Sequence, residues 1–131
     1  MELIPIQRFV NADNSCLFSS ISYLINKNDF NENTSLMFRL AAVDYIKNND
    51  KYTSDFLGMD KEEYMKKMED PTSWGGAIEI QCACNIWKIR VLVEDKRNKK
   101  KHNTIEFIPI NNSYNKTIHL KWSGGHYKIS N

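Results

Sequence analysis

The 131-residue chain carries no marked excess of charge, no long apolar run and few cysteines. Eighteen basic against sixteen acidic side chains leave a formal net charge of +2, too near balance for a nucleic-acid scaffold or a membrane-surface protein. No stretch approaches the roughly 18 apolar residues of a membrane span. The opening Met1-Glu2-Leu3-Ile4-Pro5 lacks both the basic and the continuous apolar region of a secretion signal. The expectation is a soluble, cytoplasmic or also nuclear protein, with neither nucleic acid nor membrane as partner. Cys16, Cys82 and Cys84 form an odd set without CxxC spacing, which argues against a disulfide framework and for a reducing compartment. There is no phosphate-binding glycine loop, HExxH or EF-hand pattern, so no cofactor is expected. Repeats, low-complexity tracts and linkers are also missing. At 41% hydrophobic, residues 1–131 read as one domain with its own core, expected to act as a monomer.

What is present is a change of texture along the chain. Leu17, Phe18, Ile21, Leu24 and Ile25 recur at helical spacing and predict a core-facing helix that begins at Cys16, after the polar run Asn11 to Ser15. Asn33-Thr34-Ser35 can cap a second helix with Leu36, Leu40, Val43 and Ile46 on its apolar face. Asp60 followed by Glu63 suggests the start of a third, and Ala77 to Trp87 makes a fourth. Thereafter Ile89–Val93, Thr104–Ile108, Thr117–Leu120 and Tyr127–Ile129 are short, β-branched and partly alternating, as strands are. The fold class is α+β, helices first and a small sheet after. The basic run Lys96 to His102 reads as a solvated hairpin tip.

Two positions invite chemistry. A thiol attacks carbonyl carbon as thiolate, and a helix N-terminus favours that anion, so Cys16 is placed as a nucleophile. The turn before it could aim the N–H groups of Asp13, Asn14 and Cys16 at an oxyanion. Its partner should be a histidine on another element. His102 lies in the basic run and His119 within a strand, whereas His126 follows the turn Ser123-Gly124-Gly125 and can sit at a sheet rim. Cys82 and Cys84 with a histidine would make a metal site only from one face. A CxC pair on a helix points two ways, so both are read as packing residues and no metal is expected.

Asp13-Asn14-Ser15-Cys16-Leu17-Phe18, Thr72-Ser73-Trp74-Gly75-Gly76-Ala77-Ile78-Glu79-Ile80 and Gly124-Gly125-His126-Tyr127 resemble, in that order, three blocks of the ovarian-tumour (OTU) family of cysteine-protease deubiquitinases, nearest to the Otu subfamily. The resemblance runs from Val10 to Tyr127. It implies a papain-like cysteine-protease fold, helices packed around a mostly antiparallel C-terminal sheet. It also implies hydrolysis of isopeptide bonds at the ubiquitin C-terminal glycine, with ubiquitin and polyubiquitin chains as partners. Cys16 would be nucleophile, His126 general base and acid, and Asp13 the acidic member. Substrate would be held by a Cys loop (Val10, Asn11, Ala12, Asn14, Ser15), a variable loop ending in Trp74, Gly75 and Gly76, and a His loop of Trp122, Ser123, Gly124 and Gly125. Trp74 could wall the tail channel or pack in the core, and Glu79 would fix the variable loop.

The chain departs from the family pattern at Lys128, where a carboxylate or amide usually orients the imidazole. Asp13, Asn11, Asn131 or a backbone carbonyl could substitute, and Asp13 is favoured. The departure leaves two other readings: a ubiquitin-binding module with little turnover, or a deconjugase or protease acting on a related modifier.

Overall fold

The computed structural model describes residues 16–31, 33–97, 103–124 and 126–130. Helices α1 (Cys16–Ile25), α2 (Thr34–Lys47), α3 (Ser54–Leu57), α4 (Lys61–Glu69) and α5 (Ala77–Trp87) precede strands β1 (Ile89–Asp95), β2 (Asn103–Phe107), β3 (Lys116–Trp122) and β4 (Tyr127–Ile129). A 3-10 turn, Lys27–Asp29, joins α1 to the approach of α2.

Local chemistry accounts for the boundaries. The Asp60 carboxylate accepts the Glu63 N–H at 3.1 Å and starts α4, while Thr53 does the same for Phe56 in α3. Helix α3 ends at Gly58, whose φ of +78° closes the turn. At the start of α2 the side chain of Asn33 makes no capping bond. Instead the Thr34 hydroxyl donates to the Asn31 carbonyl at 2.7 Å.

The strands form one sheet in the order β2-β1-β3-β4. Strand β1 pairs antiparallel with β2 and parallel with β3, and β3 pairs antiparallel with β4. The sheet is thus mostly antiparallel, with a parallel pair at its centre that the alternation did not foretell. Along β1 every second residue is buried, and Ile118 and Leu120 of β3 continue that face.

Helix α1 lies between two apolar clusters. Leu17 and Ile21 join Ile80, Cys84, Val91 and Leu120 under the sheet. Phe18 joins Ala42, Val43, Ile46, Tyr52, Met68 and Cys82 among the helices. Cys82 and Cys84 therefore serve different clusters, as their two-residue spacing on one helix requires. Helix α2 differs from its expected face. Leu36 and Leu40 are exposed at 40% and 43%, and the interior positions fall to Ser35, Arg39, Ala42, Val43 and Ile46. The physical reason is Arg39, whose fully buried guanidinium claims the inward face and rotates the helix with it.

Candidate active site

Cys16 opens α1, and its Sγ accepts the backbone N–H of Tyr127 at 3.4 Å. That contact joins the first residue of a helix to the first residue of β4, immediately after His126. Burial, and next the neighbouring Cys16, push the Tyr127 phenol up to about 12, so its hydroxyl stays protonated.

His126 is carried by a tight hairpin. Trp122 and Tyr127 are register partners, their rings 6.3 Å apart and nearly parallel. Between them the Ser123 N–H donates to the His126 carbonyl at 3.1 Å. Gly124 has φ +102°, a conformation that residues bearing a side chain rarely adopt. The His126 ring is exposed to solvent and stands 5.8 Å from the Trp74 ring, tilted by 50°. Trp74 is itself 51% exposed, which places it at the rim of the site and outside the core.

The loop that carries Trp74 is pinned from three sides. Arg39 donates to the carbonyls of Met68 at 2.8 Å, Pro71 at 3.3 Å and Ser73 at 2.7 Å, and its guanidinium lies over Phe18, 4.6 Å from the ring centroid. Gly75 sits so close to α1 that a Cβ there would meet Leu17 Cδ2 and Phe18 Cε2 at 2.9 Å. Glu79, in the first turn of α5, accepts the Gly76 N–H at 2.8 Å and the Tyr64 hydroxyl at 2.5 Å. Burial raises the Glu79 carboxyl above its ordinary range, opposed by those two bonds. It does not reach the reacting groups.

A cavity of about 340 Å³ opens beside these elements. Trp74, Gly75, Ile80, Phe107, Trp122 and Tyr127 are among its walls, and most of its surface is apolar.

The structure joins Cys16 to the hairpin of Trp122, Ser123, Gly124 and His126 through the Tyr127 N–H, sets Trp74 beside His126, and places Gly75, Gly76 and Glu79 behind Trp74 as supports of its loop. Val10, Asn11, Ala12, Asp13, Asn14, Ser15 and Gly125 lie outside the described residues, as do Asn131 and His102. Lys128 is exposed on β4, opposite Lys121. Among the described residues no hydrogen bond reaches the imidazole of His126, and no set of His, Cys, Asp or Glu is grouped to hold a metal. Sequence reasoning missed the Tyr127 N–H, Tyr64 and Arg39. Arg39 left a signal, since it falls four residues after Ser35 and four before Val43, both on the inward face.

A cysteine at a helix start, bonded to the residue after a histidine at a hairpin turn, in an α+β fold with a mixed sheet, is the architecture of a cysteine-protease domain. A solved OTU domain in complex with ubiquitin superposes with a TM-score of 0.73 at 25% identity, over 98% of this chain and 66% of that one. The family model described as OTU-like cysteine protease matches residues 11–130, and the chain belongs to that family. An OTU-domain-containing deubiquitinating enzyme 2 of Arabidopsis thaliana is 32% identical over 127 residues, 97% of this chain and 58% of the relative. The ubiquitin thioesterase Otu1 of Drosophila melanogaster is 35% identical over 95 residues, 72% of this chain and 27% of its own length. The chain thus spans about three fifths and about a quarter of these two relatives.

Proposed function

We propose that residues 1–131 form one catalytic domain that hydrolyses isopeptide bonds between the ubiquitin C-terminal glycine and lysine side chains. The observation that carries this reading is the 3.4 Å contact from the Tyr127 N–H to Cys16 Sγ, which sets the thiol against the residue next to His126. Relatives named as a deubiquitinating enzyme and a ubiquitin thioesterase support the substrate. So does the OTU domain solved with ubiquitin.

In the proposed reaction His126 takes the Cys16 proton and Sγ adds to the glycine carbonyl carbon. The N–H groups of Asp13, Asn14 and Cys16 receive the oxyanion. Collapse breaks the C–N bond, the lysine amine leaves with the proton from His126, and a thioester remains. Water, deprotonated by His126, then attacks that carbonyl and releases the ubiquitin carboxylate and the Cys16 thiol. The Tyr127 N–H supports the sulfur whenever it is anionic. Trp74, Gly75, Gly76, Trp122, Ser123 and Gly124 are assigned to holding the ubiquitin tail, and the same role is proposed for Val10, Asn11, Ala12, Asn14, Ser15 and Gly125. Glu79 holds the variable loop and Asp13 orients the imidazole. Polyubiquitin as substrate, action as a monomer and a cytoplasmic or nuclear location belong to the same reading. The three free cysteines suit a reducing compartment.

The test is covalent capture by a ubiquitin probe with an electrophilic C-terminus, followed by cleavage of a panel of di-ubiquitin linkages. The parent chain should be captured and Cys16→Ala should not; equal labelling of both removes Cys16 from the role of nucleophile. A second reading, a ubiquitin-binding module with little turnover, is favoured by Lys128 alone. Cleavage of any linkage by catalytic amounts eliminates it. Probes built on related modifiers test the remaining alternative, a deconjugase or protease of different specificity.

A further inference from the structure

At the end of β1 the chain turns through Asp95-Lys96-Arg97 and folds a cation back onto the sheet. Asp95 Oδ1 accepts the Arg97 backbone N–H at 3.0 Å. The guanidinium returns to the same carboxylate, Nε to Oδ1 at 3.0 Å and a terminal nitrogen to Oδ2 at 2.7 Å. A two-point grip of this kind fixes the plane of the guanidinium. That plane lies over the Trp122 indole, with Cζ 4.3 Å from the ring centroid.

Trp122 is the register partner of Asp95 across the parallel pair, and its carbonyl accepts the Lys96 N–H at 2.8 Å. The same strand end leads directly into the His126 hairpin. Gly124 in that hairpin lies against the Arg97 stem, where a Cβ would stand 3.4 Å from Cδ. The hairpin therefore rests on Arg97 along one side and, through the Tyr127 N–H, on Cys16 Sγ along the other. Read as sequence, Arg97 was one more cation in a solvated tip; in the fold its side chain is folded onto Trp122 and Gly124.

We propose that Arg97, held by Asp95, is a positioning residue that fixes the Trp122–Tyr127 hairpin and so sets His126 against Cys16. The proposal rests on the Cys16–His126 reading of the site. A misplacement of about 1 Å costs an assembled site on the order of a hundredfold. Loosening one side of a hairpin still paired to β3 should cost less, about tenfold.

The experiment uses the full chain with Arg97→Ala, Arg97→Lys, Asp95→Asn and the double Asp95→Asn/Arg97→Ala, with His126→Ala as the reference for a lost imidazole. Three quantities are read: Cys16 alkylation by iodoacetamide against pH, kcat and KM on a fluorogenic ubiquitin amide, and the melting midpoint. Arg97→Ala and Asp95→Asn should each lower alkylation at mildly acidic pH toward the His126→Ala rate. They should lower kcat about tenfold with KM changed less than about threefold. The double variant should be no worse than either single one, because both act through one contact. Arg97→Lys keeps the charge without the planar fork and should recover less than about half of the loss. Parental alkylation and kcat in the single variants, losses that multiply in the double, or losses that follow the unfolded fraction would overturn the proposal. A parent chain that never turns over ubiquitin defeats the deubiquitinase reading instead, and the alkylation profile still decides the role of Arg97.

Discussion

Gly75 touches Leu17 so closely that a Cβ on the glycine would stand 2.9 Å from Leu17 Cδ2. The loop bearing Trp74 and the helix bearing Cys16 are thereby packed backbone to side chain. Leu17 is 1% exposed and Phe18, the other contact, is held under Arg39, so neither side chain has room to withdraw. Gly75→Ala should cost about 1–3 kcal/mol, the range for overpacking a filled site. It should also lower kcat/KM by more than about tenfold, because the loop moves away from the hairpin. Chemical denaturation and steady-state kinetics on the same preparation measure both.

Glu79 makes stability depend on pH. Its carboxyl is raised in the fold by burial, above an ordinary value of 4.5. Unfolding in the window between that value and the folded one releases a proton, so stability is full below the window and falls as pH rises through it. Glu79→Gln keeps an acceptor for the Gly76 N–H and removes the titration. A denaturant midpoint followed from pH 4.5 to 8 should decline more steeply for the parent than for Glu79→Gln. Parallel profiles would falsify the assignment.

Cys82 and Cys84 are fully buried, and burial pushes both thiols up to about 12. Near pH 7 the native chain should take up a single equivalent of iodoacetamide, at Cys16. Intact-mass measurement should show that adduct in the parent and none in Cys16→Ala. Uptake at Cys82 or Cys84 without denaturant contradicts the packing.

Lys128 follows His126 by two residues; both are exposed, and Lys128 stands opposite Lys121. Lys128→Asp replaces a like-charge pair with an opposite one, worth about 0.2–1 kcal/mol across a strand. It also offers an acceptor to the imidazole. The variant should melt slightly higher, and because Asp13 orients the imidazole in the proposed site, its turnover of ubiquitin should change less than about threefold. A gain of about tenfold or more would mean that Asp13 does not hold the imidazole.

Much of this arrangement was legible before any coordinates, and the parts that were not share a cause. The spacing of Leu17, Phe18 and Ile21 gave the core face of α1, because apolar periodicity reports burial directly. The four strands were legible for the same reason. Periodicity carries no information on which strand lies beside which, so the parallel pairing of β1 with β3 stayed hidden. Arg39 and Arg97 stayed hidden because cations read as surface, whereas one is buried against carbonyls and the other folded onto an indole. Cys16 and His126 were read from their neighbours in sequence. Their mutual support, a main-chain N–H from Tyr127, has no side-chain signature to read.

Helix α1 belongs to both apolar clusters, Leu17 and Ile21 to one and Phe18 to the other. Neither half of the molecule can open while Cys16 keeps its seat, since each supplies one wall of that helix. Partial opening, the cheapest fluctuation available to most folds, is here also a loss of function. The amides of α1 should exchange with solvent no faster than those of β1 or of α2, and heat should silence the thiol at the same temperature at which whichever cluster is weaker gives way.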